Sequence, residues 1–201
     1  MIKVLLADDQ HLVRGALAAL LTLEGDIEVV AEVGRGDELV QAAREAGAEV
    51  ALVDVEMPGL DGLTATAALH TAVPSCRVLI LTTFGRPGYL RRAMEAGALG
   101  FMVKDAPPEQ LADAIRRVAS GERVVDPVLA AESLAGGANP LTGREQDVLA
   151  AARGGATVVD IARQLYLSEG TVRNYLSSAI AKTGTRNRVE AVIHAEQHGW
   201  L

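Results

Sequence analysis

The stretch VALVDVEMPGLDG, Val50 to Gly62, sets a carboxylate at the end of an apolar run. Val50, Ala51, Leu52 and Val53 form the short uncharged segment expected of a strand buried on both faces of a parallel sheet. Asp54 follows at once, and a carboxylate removed from water is costly unless something compensates it. The residues that compensate Asp54 therefore point to what the chain does.

Outward from this run, strand-like segments at Ile2 to Ala7, Ile27 to Val33, Val78 to Thr82 and Gly100 to Val103 alternate with helix-period segments. The helical patterns lie near Gln10 to Glu24, Gly36 to Ala46, Gly62 to Thr71, Pro87 to Gly97 and Pro107 to Ser120. Five β/α units predict an α/β fold with a five-stranded, doubly wound parallel sheet. Ligands of such folds sit beyond the carboxyl ends of the strands, at a topological switch point. The residues at those ends are Asp8 and Asp9 after the first strand, Asp54 after the third, Thr82 and Thr83 at the fourth, and Lys104 after the fifth.

Taken singly, each Asp is an ordinary turn or cap residue, Lys104 a solvated lysine and Thr82 a β-branched strand end. Together they make a different chemistry. Three crowded carboxylates repel one another or take up a cation, and an all-oxygen site suits Mg²⁺. A hydroxyl and an ammonium on the same edge suit phosphoryl oxygens, with Asp54 as the nucleophile that would form an acyl phosphate.

The chain has 201 residues, 49% hydrophobic and 22% charged, enough for one large or two modest domains with proper cores. A single cysteine, Cys76, excludes an internal disulfide and is expected as a buried thiol. The start lacks a secretory pattern and no run is apolar enough for membrane insertion, so a cytoplasmic location is expected. The net charge of -7 is uneven: from Pro140 onward seven cations face six carboxylates, +1, and the remainder carries -8. Two parts with different partners are implied.

After Gly121 the pattern loosens and ends in the turn-rich GGANP, Gly136 to Pro140. Thr142 and Glu145 then have the spacing of a capping box at a helix start. Val158, Ile161, Ala162 and Leu165 form one helical face, Tyr166 and Leu167 a turn, and Ser168 a cap for a second helix. That second helix carries an apolar stripe of Val172, Leu176, Ala179 and Ile180 and directs Arg173, Asn174, Ser177 and Ser178 outward. Arg173 and Asn174 suit guanine and adenine edges in a major groove, and Lys182, Arg186 and Arg188 suit phosphates.

The segments ADD (Ala7 to Asp9), DVEMPGLDG (Asp54 to Gly62), LTT (Leu81 to Thr83) and GFMVKD (Gly100 to Asp105) resemble the flavodoxin-like receiver domain of two-component response regulators. The resemblance implies that Asp54 accepts a phosphoryl group from a sensor histidine kinase and that Asp8, Asp9, Asp54 and the backbone carbonyl of Glu56 hold Mg²⁺. It implies that Thr82 and Lys104 contact the phosphoryl group and that Phe101 is the aromatic switch residue. Glu56 and Phe84 would flank the route of a hydrolytic water. LTGREQDVL, DIARQLYLSEGTVRNYL and AKTGTRNRVEAV resemble the LuxR-type helix-turn-helix of the NarL/FixJ family, with Tyr175 where a His is common. TTFGRPGYLRRA, NPLTGRE, TVRNYL and HGW are similar to the DesR-like branch, whose relatives act in fatty-acid desaturation.

The expected organisation is a receiver domain at 1–121, a partly helical linker at 122–139 and an all-α DNA-binding domain at 140–201. Phosphorylation would drive homodimerisation, through the first and fifth receiver helices by resemblance or else through the fourth, and binding to double-stranded promoter DNA, with RNA polymerase a further partner. The alternatives are a DNA-binding regulator that works without phosphorylation, or one serving another stress or cell-envelope regulon. A phosphatase of haloacid-dehalogenase type needs an Asp two residues after the nucleophile, where Glu56 stands. A dinucleotide fold lacks the third glycine after Gly34 and Gly36.

Overall fold

A computed structural model describes residues 1–83, 87–127, 129–131 and 139–201. The chain divides into two compact units, the first built from most of the residues up to Ala131 and the second mainly from those after it. In the first, strands β1 (Ile2–Ala7), β2 (Ile27–Val33), β3 (Val50–Asp54), β4 (Arg77–Thr82) and β5 (Gly100–Val103) are joined through helices α1 (His11–Thr22), α2 (Leu39–Ala46), α3 (Gly62–Ala72) and α4 (Pro87–Glu95), and α5 (Pro108–Ser120) follows β5. With a short β6 (Val124–Val125), all sheet pairings are parallel, in the order β2-β1-β3-β4-β5-β6.

The doubly wound parallel fold is as expected, and β6 (Val124–Val125) adds one strand beyond the five predicted. Two residues carry too little alternation to register as a periodic signal. Asp54 belongs to β3 rather than following it.

Alternation along the strands divides the core. Val4, Leu6, Val50, Leu52, Leu79 and Leu81 pack with Leu21 of α1 and with Leu111, Ile115 and Val118 of α5. The residues between them, including Leu5, Val53, Ile80 and Phe101, are fully buried on the other side of the sheet. Few aromatics contribute, so aliphatic burial at roughly 25 cal/mol per Å² supplies most of the cohesion. Cys76 is buried, and that burial pushes its thiol up to about 11, which makes it inert near neutrality.

Two glycines are demanded by close approach. A Cβ on Gly62 would overlap the carbonyl of Asp54, and one on Gly36 would overlap the carbonyl of Leu60. The MPGLDG loop therefore folds back tightly beneath the end of β3, and Asp61 caps α3 through the amides of Leu63 and Thr64.

The second unit contains α6 (Gly143–Ala151), α7 (Val158–Leu165), α8 (Glu169–Thr183) and α9 (Arg188–Gln197). Val148, Leu149, Ile161, Val172, Leu176, Ala179, Ala191 and Ala195 form its core around α8. Each helix start has a side-chain cap: Thr142 with Glu145, Thr157 with Asp160, Ser168 with the amide of Thr171, and Asn187 with that of Glu190. Among the described residues, no helix is long and apolar enough to cross a membrane.

Candidate functional site

Register brings the acids together. Ala7 pairs with Val53 across the β1/β3 contact, so Asp8 and Asp54, one residue further on, emerge side by side at the switch point of the sheet. Oxygens of Asp8, Asp9 and Asp54 all lie within 4.8 Å of one another. Asp8 and Asp54 are buried, while Asp9 is exposed and opens the cluster to solvent.

Lys104 closes the other side. Its amide bonds the Thr82 carbonyl at 2.8 Å, which fixes the loop after β5 against the end of β4. Its side chain, only 7% exposed, sets Nζ 2.7 Å from Asp8 Oδ2 and 2.9 Å from Asp54 Oδ2. These are ion-pair contacts made outside ideal hydrogen-bond alignment.

The electrostatics follow from burial and crowding. Burial pushes the Asp54 carboxyl above the ordinary range, Lys104 pulls it back, and Asp8 adds repulsion. Burial opposes the charge on Lys104, but the Asp8 and Asp54 carboxylates outweigh it and the ammonium is held above its usual range. The set of three carboxylates with one ammonium is all-oxygen on the cation-binding side and fits a small hard cation.

Thr82 ends β4 and is 5% exposed, beside Leu81, which pairs with Asp54. Phe101 pairs with Ile80 and is fully buried. Glu56 is exposed, and Phe84 lies outside the described residues. The geometry also brings in Arg14, unanticipated from sequence, whose guanidinium donates to the Asp8 carbonyl. A basic residue one turn into a helix is common, so nothing in the sequence marks it.

In the second unit, α8 follows a turn in which Tyr166 adopts φ 55 and ψ 43. Arg173, Asn174 and Ser177 are exposed on α8, in the outward direction expected from the apolar stripe. Tyr175 is partly buried against the core. Ser178, expected to point outward, instead donates to Glu145 Oε1 at 2.6 Å.

The cations differ in how firmly they are held. Arg173 pairs with Glu169 at 2.7 Å and Arg186 with Glu190 at 2.9 Å, both at exposed positions. Such pairs contribute about 0 to 1 kcal/mol and are easily exchanged for phosphate or base. Lys182 is different: its Nζ lies 2.7 Å from Oε2 of Glu145, whose side chain is 5% exposed. Withdrawing it would strand a buried carboxylate, so Lys182 anchors α8 to α6 in this arrangement. Arg188 donates to the carbonyl of Ala156 at 2.9 Å.

The comparisons agree with this division. A family model of the response regulator receiver domain matches residues 4–116, and one of the luxR family of bacterial regulatory proteins matches residues 139–195. Over 201 residues, covering the whole of both chains, the sequence is 43% identical to transcriptional regulatory protein DesR of Bacillus subtilis (strain 168). It is 44% identical, again over both whole chains, to the uncharacterized transcriptional regulatory protein YvfU of the same organism. Among solved structures, the response regulator ChrA of a heme-sensing two-component system superposes with TM-score 0.61 at 35% identity, covering 100% of this chain and 98% of that one. The RcsB–DNA complex superposes with TM-score 0.69 at 25% identity, covering 98% of each chain.

Proposed function

Because the chain belongs to the two-component response regulators that join a receiver domain to a LuxR-type DNA-binding domain, we propose that its role as a transcription regulator is controlled by a phosphoryl group on Asp54. The observation that carries this reading is the meeting of Asp8, Asp9, Asp54 and Lys104 at one sheet edge.

A carboxylate oxygen of Asp54 attacks the phosphorus of a phosphohistidine on a sensor kinase. The P–O bond forms as the P–N bond breaks, and the histidine leaves with the electron pair. Mg²⁺, held by Asp8, Asp9, Asp54 and the carbonyl of Glu56, would supply charge neutralisation at the phosphoryl oxygens. Lys104, already against Asp54, moves its charge to the new phosphoryl group, and the Thr82 hydroxyl donates to it. Phe101 is buried next to the β4 end and responds to the shift of Thr82.

The output is DNA binding. With a C-terminal charge of only +1, one helix-turn-helix has little electrostatic affinity, whereas two in a phosphorylated homodimer double the phosphate contacts and read paired half-sites. Arg173, Asn174 and Ser177 read bases, and Arg186 and Arg188 meet phosphates. Dimerisation through α1 and α5, and a regulon of membrane-lipid genes, follow from the resemblance to the DesR-like branch. The domain boundaries are proposed at 1–121 and 140–201, and of 122–139 between them β6 is paired with the receiver sheet. Mapping genomic sites occupied by the wild type and by Asp54→Ala tests the reading. It predicts strong sites that vanish in the variant, and an unchanged map would favour a regulator independent of phosphorylation.

A further inference from the structure

Arg14 reaches from α1 to three partners at once, and one of them is the backbone of the acidic site. Its Nη1 donates to the Asp8 carbonyl, its Nε to Glu32 Oε2 at 3.2 Å, and its Nη2 lies 2.8 Å from His11 Nδ1. The side chain is 13% exposed although it carries a full charge. The fork is thus spread over the end of β1, the end of β2 and the first turn of its own helix.

The Asp8 carbonyl belongs to the peptide plane that joins Asp8 to Asp9. The sheet holds one side of this corner, since the Asp8 amide bonds the Val33 carbonyl at 3.1 Å. The amide of Gln10 bonds Asp8 Oδ1 at 2.9 Å. The carbonyl itself lies past the β1 ladder, which ends at Ala7, and Arg14 is what fixes it. Rotation of that plane would redirect the two side chains relative to each other and to Asp54.

We propose that Arg14 is a positioning residue for the acidic cluster, pinning the Asp8–Asp9 peptide so that both carboxylates converge on a divalent cation with Asp54. This rests on the cation-binding reading given under the proposed function. Its electrostatic sign makes it testable. A guanidinium beside a dication site repels the ion, so simple removal of charge tightens binding, whereas loss of positioning weakens it.

The test is a titration of the full chain with Mn²⁺, followed by loss of the free-ion electron paramagnetic resonance signal, for the wild type, Arg14→Gln, Arg14→Lys and Glu32→Gln. Urea midpoints without metal are measured alongside. Outer partners of metal ligands typically matter by about tenfold or more, so Arg14→Gln is expected to weaken Mn²⁺ binding by roughly tenfold. Arg14→Lys, which keeps the charge and loses the fork, is expected to weaken it nearly as much, and Glu32→Gln by a smaller factor in the same direction. Weaker binding with urea midpoints close to wild type supports positioning. Tighter binding by Arg14→Gln, or wild-type binding by Arg14→Lys, would overturn it. If Arg14→Gln fails to fold, Arg14→Lys and Glu32→Gln decide by the same readings. Failure of the wild type to bind Mn²⁺ would overturn the cation-binding reading and this inference together, whereas a binding wild type with unaffected variants would overturn this inference alone.

Discussion

Lys104 holds its ammonium 2.9 Å from a carboxylate oxygen of Asp54, and the same Nζ also compensates Asp8. The two ends of this pair should respond to mutation with opposite signs. The folded-state pKa of Asp54 is raised above 3.8, so the fold favours its protonated form. That contribution is fully present below 3.8 and is lost as pH rises through the folded value. At pH 7 without Mg²⁺ the charged Asp54 is therefore a net liability. Asp54→Asn should raise the urea midpoint, and the advantage should shrink as pH falls through the raised folded value and be gone by 3.8. Lys104→Met strands two buried carboxylates and should cost about 3 kcal/mol in the same assay.

Glu145 gives the converse pH dependence. Burial alone would raise its pKa, but the Lys182 ammonium, the Ser178 hydroxyl and the Thr142 amide hold it down to about 2 from an ordinary 4.5. A depressed carboxyl stabilises above 4.5 and loses that contribution as pH falls toward 2. Glu145→Gln should destabilise by about 2 kcal/mol at pH 7, and the gap between it and wild type should close through this acid window in urea titrations.

For DNA, Arg173→Ala should weaken binding to the proper site far more than to random sequence, because base contacts carry specificity. Arg186→Ala should weaken both alike and reduce the slope of log affinity against log salt by about 0.9. Lys182→Ala should lower the urea midpoint, since its ammonium serves Glu145. Fluorescence anisotropy across a salt series separates these roles.

The strand ends were legible in the sequence because each lies at the border of an apolar run and a charged residue: Ala7 against Asp8, Val53 against Asp54, Val103 against Lys104. The capping boxes were legible in part, since Thr142 and Glu145 are three residues apart. What pairs across long separations was not. Lys182 reaches Glu145 over 37 residues and Lys104 approaches Asp8 from the opposite end of the receiver, contacts that exist only once the helices and strands pack. Strand β6 was too short to show a period, and the grip of Arg14 on a backbone carbonyl leaves no side-chain pattern to read.

Tyr166 is the one described non-glycine residue at positive φ, and it is 96% exposed. A left-handed conformation costs an ordinary residue roughly 1 to 2 kcal/mol, and Asn tolerates it better. Tyr166→Asn should stabilise the fold by an amount on the order of 0.5 kcal/mol, read as a higher urea midpoint, while the helix-turn-helix stays intact by circular dichroism.

Asp54 is the proposed phosphoacceptor. Incubating the full chain with acetyl phosphate and Mg²⁺ and reading its intact mass tests this directly. One added phosphoryl group on the wild type and none on Asp54→Asn is the predicted result. Persistent labelling of Asp54→Asn would place the acceptor on another residue, and an unlabelled wild type would rule out Asp54 as an acceptor for this donor.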